Sequence, residues 1–129
     1  MPDTEWTISD GWILMSAFLA GGDSGATLQM LVGTADVLNH AIPTRGELSR
    51  ALTRLAGIGV ISNKDGLFVI APEWVTEIEK ARGGKGGLFS LPEKGKKWLA
   101  RNKFPIIETS ITISDDELTE AVALYRKML

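Results

Sequence analysis

The sequence predicts a mainly α-helical domain with a small amount of β structure, built around a helix-turn-helix and a β-hairpin. Three observations carry this. Leu28, Leu31, Ala35 and Leu38 recur at spacings of three and four, which lines one face of a helix. Thr44-Arg45-Gly46-Glu47 places a hydroxyl and a carboxylate three residues apart, the capping box that opens a further helix. Asn63-Lys64-Asp65-Gly66 lies between two β-branched or apolar runs and carries an Asp-Gly turn signal, the mark of a hairpin.

A chain of 129 residues fits one domain. Its 44% hydrophobic and 23% charged content suits a globular protein with a true core. There is no cysteine. That excludes disulfides, thiolate metal sites and cysteine nucleophiles, and it fits a reducing compartment, so a cytoplasmic location is expected. The longest apolar run, residues 12–20, contains Ser16 and stops at Gly21-Gly22-Asp23. It falls well short of the roughly 20 residues of a membrane span. No charged segment precedes it, so a signal peptide is not expected.

In chain order, residues 1–8 read as a short arm. Ser9 is the expected N-cap of a first helix, apolar almost all round as far as Ala20, which marks it as buried or as part of a subunit interface. The glycine-rich segment after it is a connector, since no P-loop lysine follows. Thr27 caps the second helix, which runs to about Asn39, and Pro43 helps to end it by disfavouring helical geometry at Ile42. The third helix runs from the capping box to about Ala56, with Leu48, Ala51, Leu52 and Leu55 as its apolar stripe and Gly57 and Gly59 as its stop. Val60-Ile61-Ser62 and Leu67-Phe68-Val69-Ile70 are the hairpin strands.

Pro72 then opens a helix to about Arg82, packed through Trp74, Val75 and Ile78. After Gly83-Gly84-Lys85-Gly86-Gly87, the segment Leu88-Phe89-Ser90-Leu91-Pro92-Glu93 reads as a short strand running into a helix of residues 92–102. Ile107, Thr109, Ile111 and Ile113 alternate with Glu108, Ser110 and Thr112, the pattern of another strand. Ser114-Asp115-Asp116-Glu117 is a second capping box, and the last helix carries Leu118, Ala121, Val122, Tyr125, Met128 and Leu129 on one side. The expected organisation is a domain over residues 1–103, completed by a strand and helix over 104–129 that pack on it or form a dimer interface.

Helix, buried helix, capped helix and two-stranded wing is the order of a winged helix. The stretch from Leu28 to Glu73 resembles the DNA-binding core of winged-helix regulators of the MarR and PadR kinds. The resemblance rests on Leu48-Ser49-Arg50-Ala51-Leu52-Thr53-Arg54-Leu55, on the Gly57-Ile58-Gly59-Val60-Ile61 exit, and on Gly66-Leu67-Phe68 opening the second wing strand. Leu91-Pro92-Glu93-Lys94-Gly95 is similar to the Leu-Thr-x-x-Gly that often closes the wing, with Pro92 in place of Thr. Residues 35–44 resemble a segment of uncharacterised bacterial winged-helix-like proteins, a likeness that implies no activity. The resemblance implies a winged helix-turn-helix fold with additional C-terminal helices and one strand. Such folds bind DNA, but they also serve purely as protein contacts.

The net charge of −2 conceals an asymmetry. Residues 1–39 contain five acids and no Lys or Arg, whereas residues 40–103 hold twelve of the fourteen basic residues against six acids. Phosphate responds to such a local field. With Leu48, Leu52 and Leu55 facing the core, Arg50 lies nearly opposite, flanked by Thr53 and Arg54, with Ser49 nearer the edge. Together with Arg45 at the start of this helix and Lys64 at the hairpin tip, these are the candidate contacts to double-stranded DNA, Arg reading guanine and Ser or Thr touching bases or phosphates. A secondary basic cluster contains Lys85, Lys94, Lys97 and Arg101, beside Lys80, Arg82, Lys96 and Lys103.

Trp98 is expected in the core. His40, the sole histidine, follows a helix and precedes a turn, which suits a structural role better than that of a general base acting with Asp36. One histidine without cysteine cannot build a usual zinc site, and no nucleophile elbow or Gly-x-Gly-x-x-Gly occurs, so neither a metal, a cofactor nor an enzyme is expected. Asp115, Asp116 and Glu117 sit in a first helical turn, where negative charge favours the helix dipole. The apolar first helix and the terminal elements suggest a homodimer. Two functional readings follow: a DNA-binding regulator working through the third helix and wing, or a winged-helix protein-contact module without nucleic-acid binding.

Overall fold

The computed structural model describes residues 5–129, so the first half of the expected N-terminal arm lies outside the described residues. The elements are α1 (Ile8–Ala20), α2 (Leu28–Asn39), α3 (Arg45–Gly57), β1 (Ile61–Lys64), β2 (Leu67–Ile70), α4 (Pro72–Arg82), α5 (Leu91–Arg101) and α6 (Asp115–Lys127). Short 3-10 turns occupy Gly22–Ser24 and Leu88–Ser90. The protein is mainly helical, with a two-stranded antiparallel hairpin after the first three helices, a layout compatible with a winged helix.

Helix α1 is the centre. Residues 10–17 are all buried, and the helix packs against α2, α3, α4 and α5. Its cap is Thr7, two residues before the expected Ser9. The Thr7 hydroxyl accepts from the Asp10 amide at 3.2 Å, and the Asp10 carboxylate accepts from the Thr7 amide at 3.0 Å. The Ser9 hydroxyl instead donates to Glu47 on α3 at 3.4 Å. Both buried polar groups farther along are satisfied: the Trp12 indole donates to the Ala35 carbonyl at 2.8 Å, and the Ser16 hydroxyl donates to the Trp12 carbonyl at 2.7 Å.

The tightest helix pair is α1 on α5. A Cβ on Gly11 would stand 2.2 Å from the Pro92 carbonyl oxygen and 2.3 Å from the Lys96 amide nitrogen. A Cβ on Gly95 would stand 2.6 Å from the Gly11 carbonyl oxygen. Two glycines face one another, and the helix backbones touch there.

Helices α2 and α3 are capped as expected, by Thr27 and by the Thr44–Glu47 box. His40 closes α2 in the left-handed conformation, at φ 50°. The hairpin turns at Asp65 and Gly66, both at positive φ, and pairs Ile61 with Ile70 through to Lys64 with Leu67. On the far side of β2, Ala26 exchanges two backbone hydrogen bonds with Phe68, at 2.8 and 2.9 Å. The order across the sheet is therefore Ala26, β2, β1. Trp74 of α4, Trp98 of α5 and Phe104 form an aromatic cluster, with centroids 5.1–5.6 Å apart and Trp74 edge-on to the other two rings.

Two further sequence expectations are corrected. Leu88–Ser90 is a 3-10 turn and not a strand: the Ser90 amide and hydroxyl both return to the Gly87 carbonyl, which coils the chain directly into α5. Residues 107–113 belong to no β-ladder, because the hydrogen bonds a strand would make to a neighbour are made to α3 instead. The expected additional strand is absent among the described residues.

Gly11→Ala should lower the unfolding free energy by about 2 kcal/mol or more, since neither backbone can yield without separating α1 from α5. Urea denaturation checks this, and Gly46→Ala serves as a control, since its Cβ would meet nothing closer than 4.0 Å.

Candidate functional site

One edge of the α3 face expected to read DNA is overlaid by the chain itself. After α5, residues 105–114 run antiparallel along α3 as a strap. The Ile107 amide donates to the Gly57 carbonyl at 2.6 Å. The Thr53 hydroxyl donates to the Ile111 carbonyl at 2.9 Å and accepts from the Ile111 amide at 3.0 Å. The Ser49 hydroxyl accepts from the Ile113 amide at 3.0 Å. Past the strap, the Arg45 guanidinium meets the Asp115 carboxylate at 2.8 Å.

Gly57, Thr53, Ser49 and Arg45 lie four residues apart, one per turn on the same side of the helix. Ile111 and Ile113 bury their side chains beneath the strap, while Thr112 points outward. Ser49 and Thr53 therefore act as the hydrogen-bonding edge that a neighbouring strand would supply.

The two remaining arginines of α3 lie toward α1. Arg54 donates to Asp10 at 3.0 Å and to the Glu5 carbonyl at 2.9 Å, and its guanidinium carbon stands 4.5 Å from the centre of the Trp6 ring. Its side chain is 16% exposed, and that of Asp10 is fully buried. Arg50 has a guanidinium nitrogen 4.0 Å from the second Asp10 oxygen, and its side chain is 44% exposed. Burying a carboxylate carries a desolvation cost that only a close cation and hydrogen bonds offset. Asp10 thus requires Arg54 as a structural partner. Among the predicted site residues, Lys64 stands exposed at the hairpin tip, away from the strap contacts.

The second basic cluster is only partly a common surface. Lys94 bends back to the end of α4, donating to the Gly83 carbonyl at 3.1 Å and the Arg82 carbonyl at 3.4 Å. Arg82 and Lys80 pair with Glu79 and Glu77 on their own helix. The Arg82 hydrogen bond holds the Glu79 carboxyl below its ordinary range. Lys85, Lys97 and Arg101 are exposed. Lys96 lines a hollow with Glu5 and Trp6, the two residues that Arg54 also contacts.

His40 closes α2 and lies tilted against Phe89, with ring centres 4.7 Å apart. Asp36 is engaged elsewhere: it accepts from the Tyr125 hydroxyl at 2.7 Å, which pins α6 to α2 and pushes the phenol pKa up. Glu117 accepts from the Ser114 amide in the α6 capping box, which holds its carboxyl low. Among the described residues no cluster of metal-ligating side chains occurs, and no helix is long and apolar enough to cross a membrane.

Sequence reasoning missed Asp10 and the strap. The signal for Asp10 was present: Thr7-Ile8-Ser9-Asp10 is itself a cap with an acid three residues on. The alternation in residues 107–113 indicated a strand, but alternation does not identify the partner, and here the partner is a helix. Comparison with protein-family models, with curated proteins and with solved structures finds no match.

Thr53→Val keeps the side-chain shape and removes both strap hydrogen bonds. It should cost about 1–2 kcal/mol and accelerate exchange of the Ile111 amide ahead of those in α3, as amide hydrogen exchange will report. Asp10→Ala leaves Arg54 without its carboxylate and should cost about 3 kcal/mol, measured by chemical denaturation.

Proposed function

We propose that this chain is a winged-helix-like protein-contact domain that pairs with a second copy of itself and does not use α3 to read duplex DNA. The winged-helix reading is supported by the order α1, the Ala26 bridge, α2, α3 and hairpin. The observation that carries the functional choice is the strap: Arg45, Ser49 and Thr53 are engaged by residues 111–115, and Arg54 by Asp10. A groove-reading helix needs those side chains facing outward. Here a base edge would have to displace the strap and expose Ile111 and Ile113 to water.

Self-pairing is supported by the outer side of α6 and the adjoining helices. Leu124, Met128 and Leu129 are exposed there, as are Leu19, Met30 and Val37. A groove of about 360 Å³ between α2 and α6 is lined by Met30, Gly33, Val37, Tyr125 and Met128, with no charged residue in its wall. Helix α6 is acidic at its start (Asp115, Asp116, Glu117, Glu120) and basic at its end (Arg126, Lys127). Two copies of α6 packed antiparallel about a two-fold axis set acid against base at both ends. Parallel packing would set like charges together.

Electrophoresis with random duplex DNA tests the first half. No retardation is expected at low salt. Salt-sensitive retardation lost in Lys64→Ala, which leaves the Asp10–Arg54 pair intact, would reinstate the DNA-reading alternative. Sedimentation equilibrium tests the second half: a dimer is expected that Leu124→Glu/Met128→Glu converts to monomer, and a wild-type monomer at high concentration refutes pairing.

A further inference from the structure

We propose that the cleft between β1 and the strap receives an extended, uncharged peptide segment of a partner protein, added as a strand to the free edge of β1. The phase of the hairpin ladder fixes which backbone groups are available. The Ala71 amide donates to the Val60 carbonyl, and both backbone groups of Phe68 turn outward to Ala26. In an antiparallel ladder, hydrogen-bonded and non-bonded pairs alternate. Phe68 pairs with Asn63, and Ile70 with Ile61. The amide and carbonyl groups of Asn63 and Ile61 therefore point away from β2, into the cleft. Among the described residues, no hydrogen bond is made to them from that side.

The opposite wall is the strap. Its carbonyl and amide at Ile111 are bonded to Thr53, and its amide at Ile107 to Gly57, while Thr109 and Ser110 face the cleft. The strap cannot close onto β1 itself, because Gly57, Thr53 and Ser49 hold it on α3 and Ile111 and Ile113 are buried there. The cleft has a volume of about 460 Å³ and lies between Ile61, Ser62 and Asn63 on one side and Ile107, Thr109 and Ile111 on the other.

The chemistry of these walls specifies the occupant. Unpaired main-chain groups on β1 call for another extended main chain, the mode of recognition in which a peptide joins a sheet edge. No ionisable side chain lines the cleft. A charged residue entering it would lose water without gaining a counter-charge. The complementary segment is neutral, with β-branched or small apolar residues turned to Ile61, Ile107 and Ile111, and alternate Thr or Ser turned outward. The two strands pair with each other and the strap is held on α3, so neither wall supplies the strand, and a partner protein is the proposed source. This surface is separate from the α6 face, and its test is independent of self-pairing.

The probes are blocked pentapeptides alternating Val, Ile or Ala with Thr or Ser, titrated into the isotope-labelled full chain. The expected result is saturable movement of the amide signals of Ile61, Asn63 and Thr109 by at least one peptide, with slowed exchange at Ile61 and Asn63. The same peptide N-methylated at alternate residues should lose at least tenfold in affinity. Asn63→Pro removes a donor on the free edge, where proline is tolerated, and should weaken binding to a similar degree. Thr109→Trp, on the exposed strap, fills the cleft without changing any residue of the hairpin and should also abolish binding if the proline variant does not fold. The proposal is overturned if no peptide gives saturable shifts at millimolar concentration, or if the N-methylated peptide binds equally. It is also overturned if the shifts map to α6, or if Ile61 and Asn63 become protected without peptide as the chain dimerises, which would make a second copy the occupant.

Discussion

Helix α1 has no solvent face along residues 10–17, and the rest of the molecule is arranged to enclose it. Burying Ile13, Leu14 and Met15 contributes about 1.5–3 kcal/mol each, but it demands a neighbour on every side. Helices α2, α3, α4 and α5 supply these neighbours. The approach of α5 is limited only by backbone, because Gly11 and Gly95 present no side chains to one another. At its N-terminal end the same enclosure buries Asp10, whose carboxylate already completes a cap. The charge then has to be balanced from the nearest helix, and Arg54 of α3 does so. A packing requirement thus fixes the fate of a residue that, on a helical wheel, looks available for a ligand.

The strap follows from the other side of α3. Helix α3 is amphipathic, with leucines inward and small hydroxyl side chains one turn apart outward. A helix offers a passing extended chain no main-chain partners, since its own are used internally. Ser49 and Thr53 overcome this by projecting oxygens at the helical repeat, and residues 111–113 attach to them. Ile111 and Ile113, two residues apart, then bury their side chains against the helix. The result is an extended segment stabilised as a strand would be, yet belonging to no sheet.

How much of this could be read beforehand depended on whether the determining interaction was local. The caps at Thr27, Thr44 and Ser114, the Asp-Gly turn and the leucine stripes are local, and the structure places them as the sequence indicated. The 3-10 turn at Leu88–Ser90 resembles a strand in composition, but the hydrogen bonds of Ser90 to Gly87 decide its form, and hydrophobicity does not encode them. For the candidate site, helical geometry sets Ser49, Arg50, Thr53 and Arg54 on the side of α3 away from its leucine stripe, with Arg45 at the helix start. Which of these meet solvent depends on residues 10 and 107–115, at separations of 40 to 70 positions from their partners. No periodicity within α3 carries that information. The charge asymmetry was similarly real in the sequence and partly dissolved by the fold, because Arg54, Lys94, Lys80 and Arg82 are tied to oxygens of the chain itself.

An open sheet edge ordinarily invites indiscriminate pairing, and proteins protect such edges with charge, bulges or cover. In this hairpin the two edges are treated differently. Ala26 closes the β2 side with a single bridge, the least backbone that satisfies Phe68. On the β1 side a lysine stands at the exposed tip, and the inner part of the edge faces the strap across the cleft. The strap shields Ile61 from the broad approach of another sheet, while its anchoring on α3 prevents it from occupying the edge. Cover without pairing restricts access to a slender chain entering alongside. A folded neighbour presenting a flat sheet would meet Ile107 and Thr109 first. The polar face of α3 therefore bears on selectivity at a distance: by holding the strap, Ser49 and Thr53 determine what can reach Asn63 and Ile61.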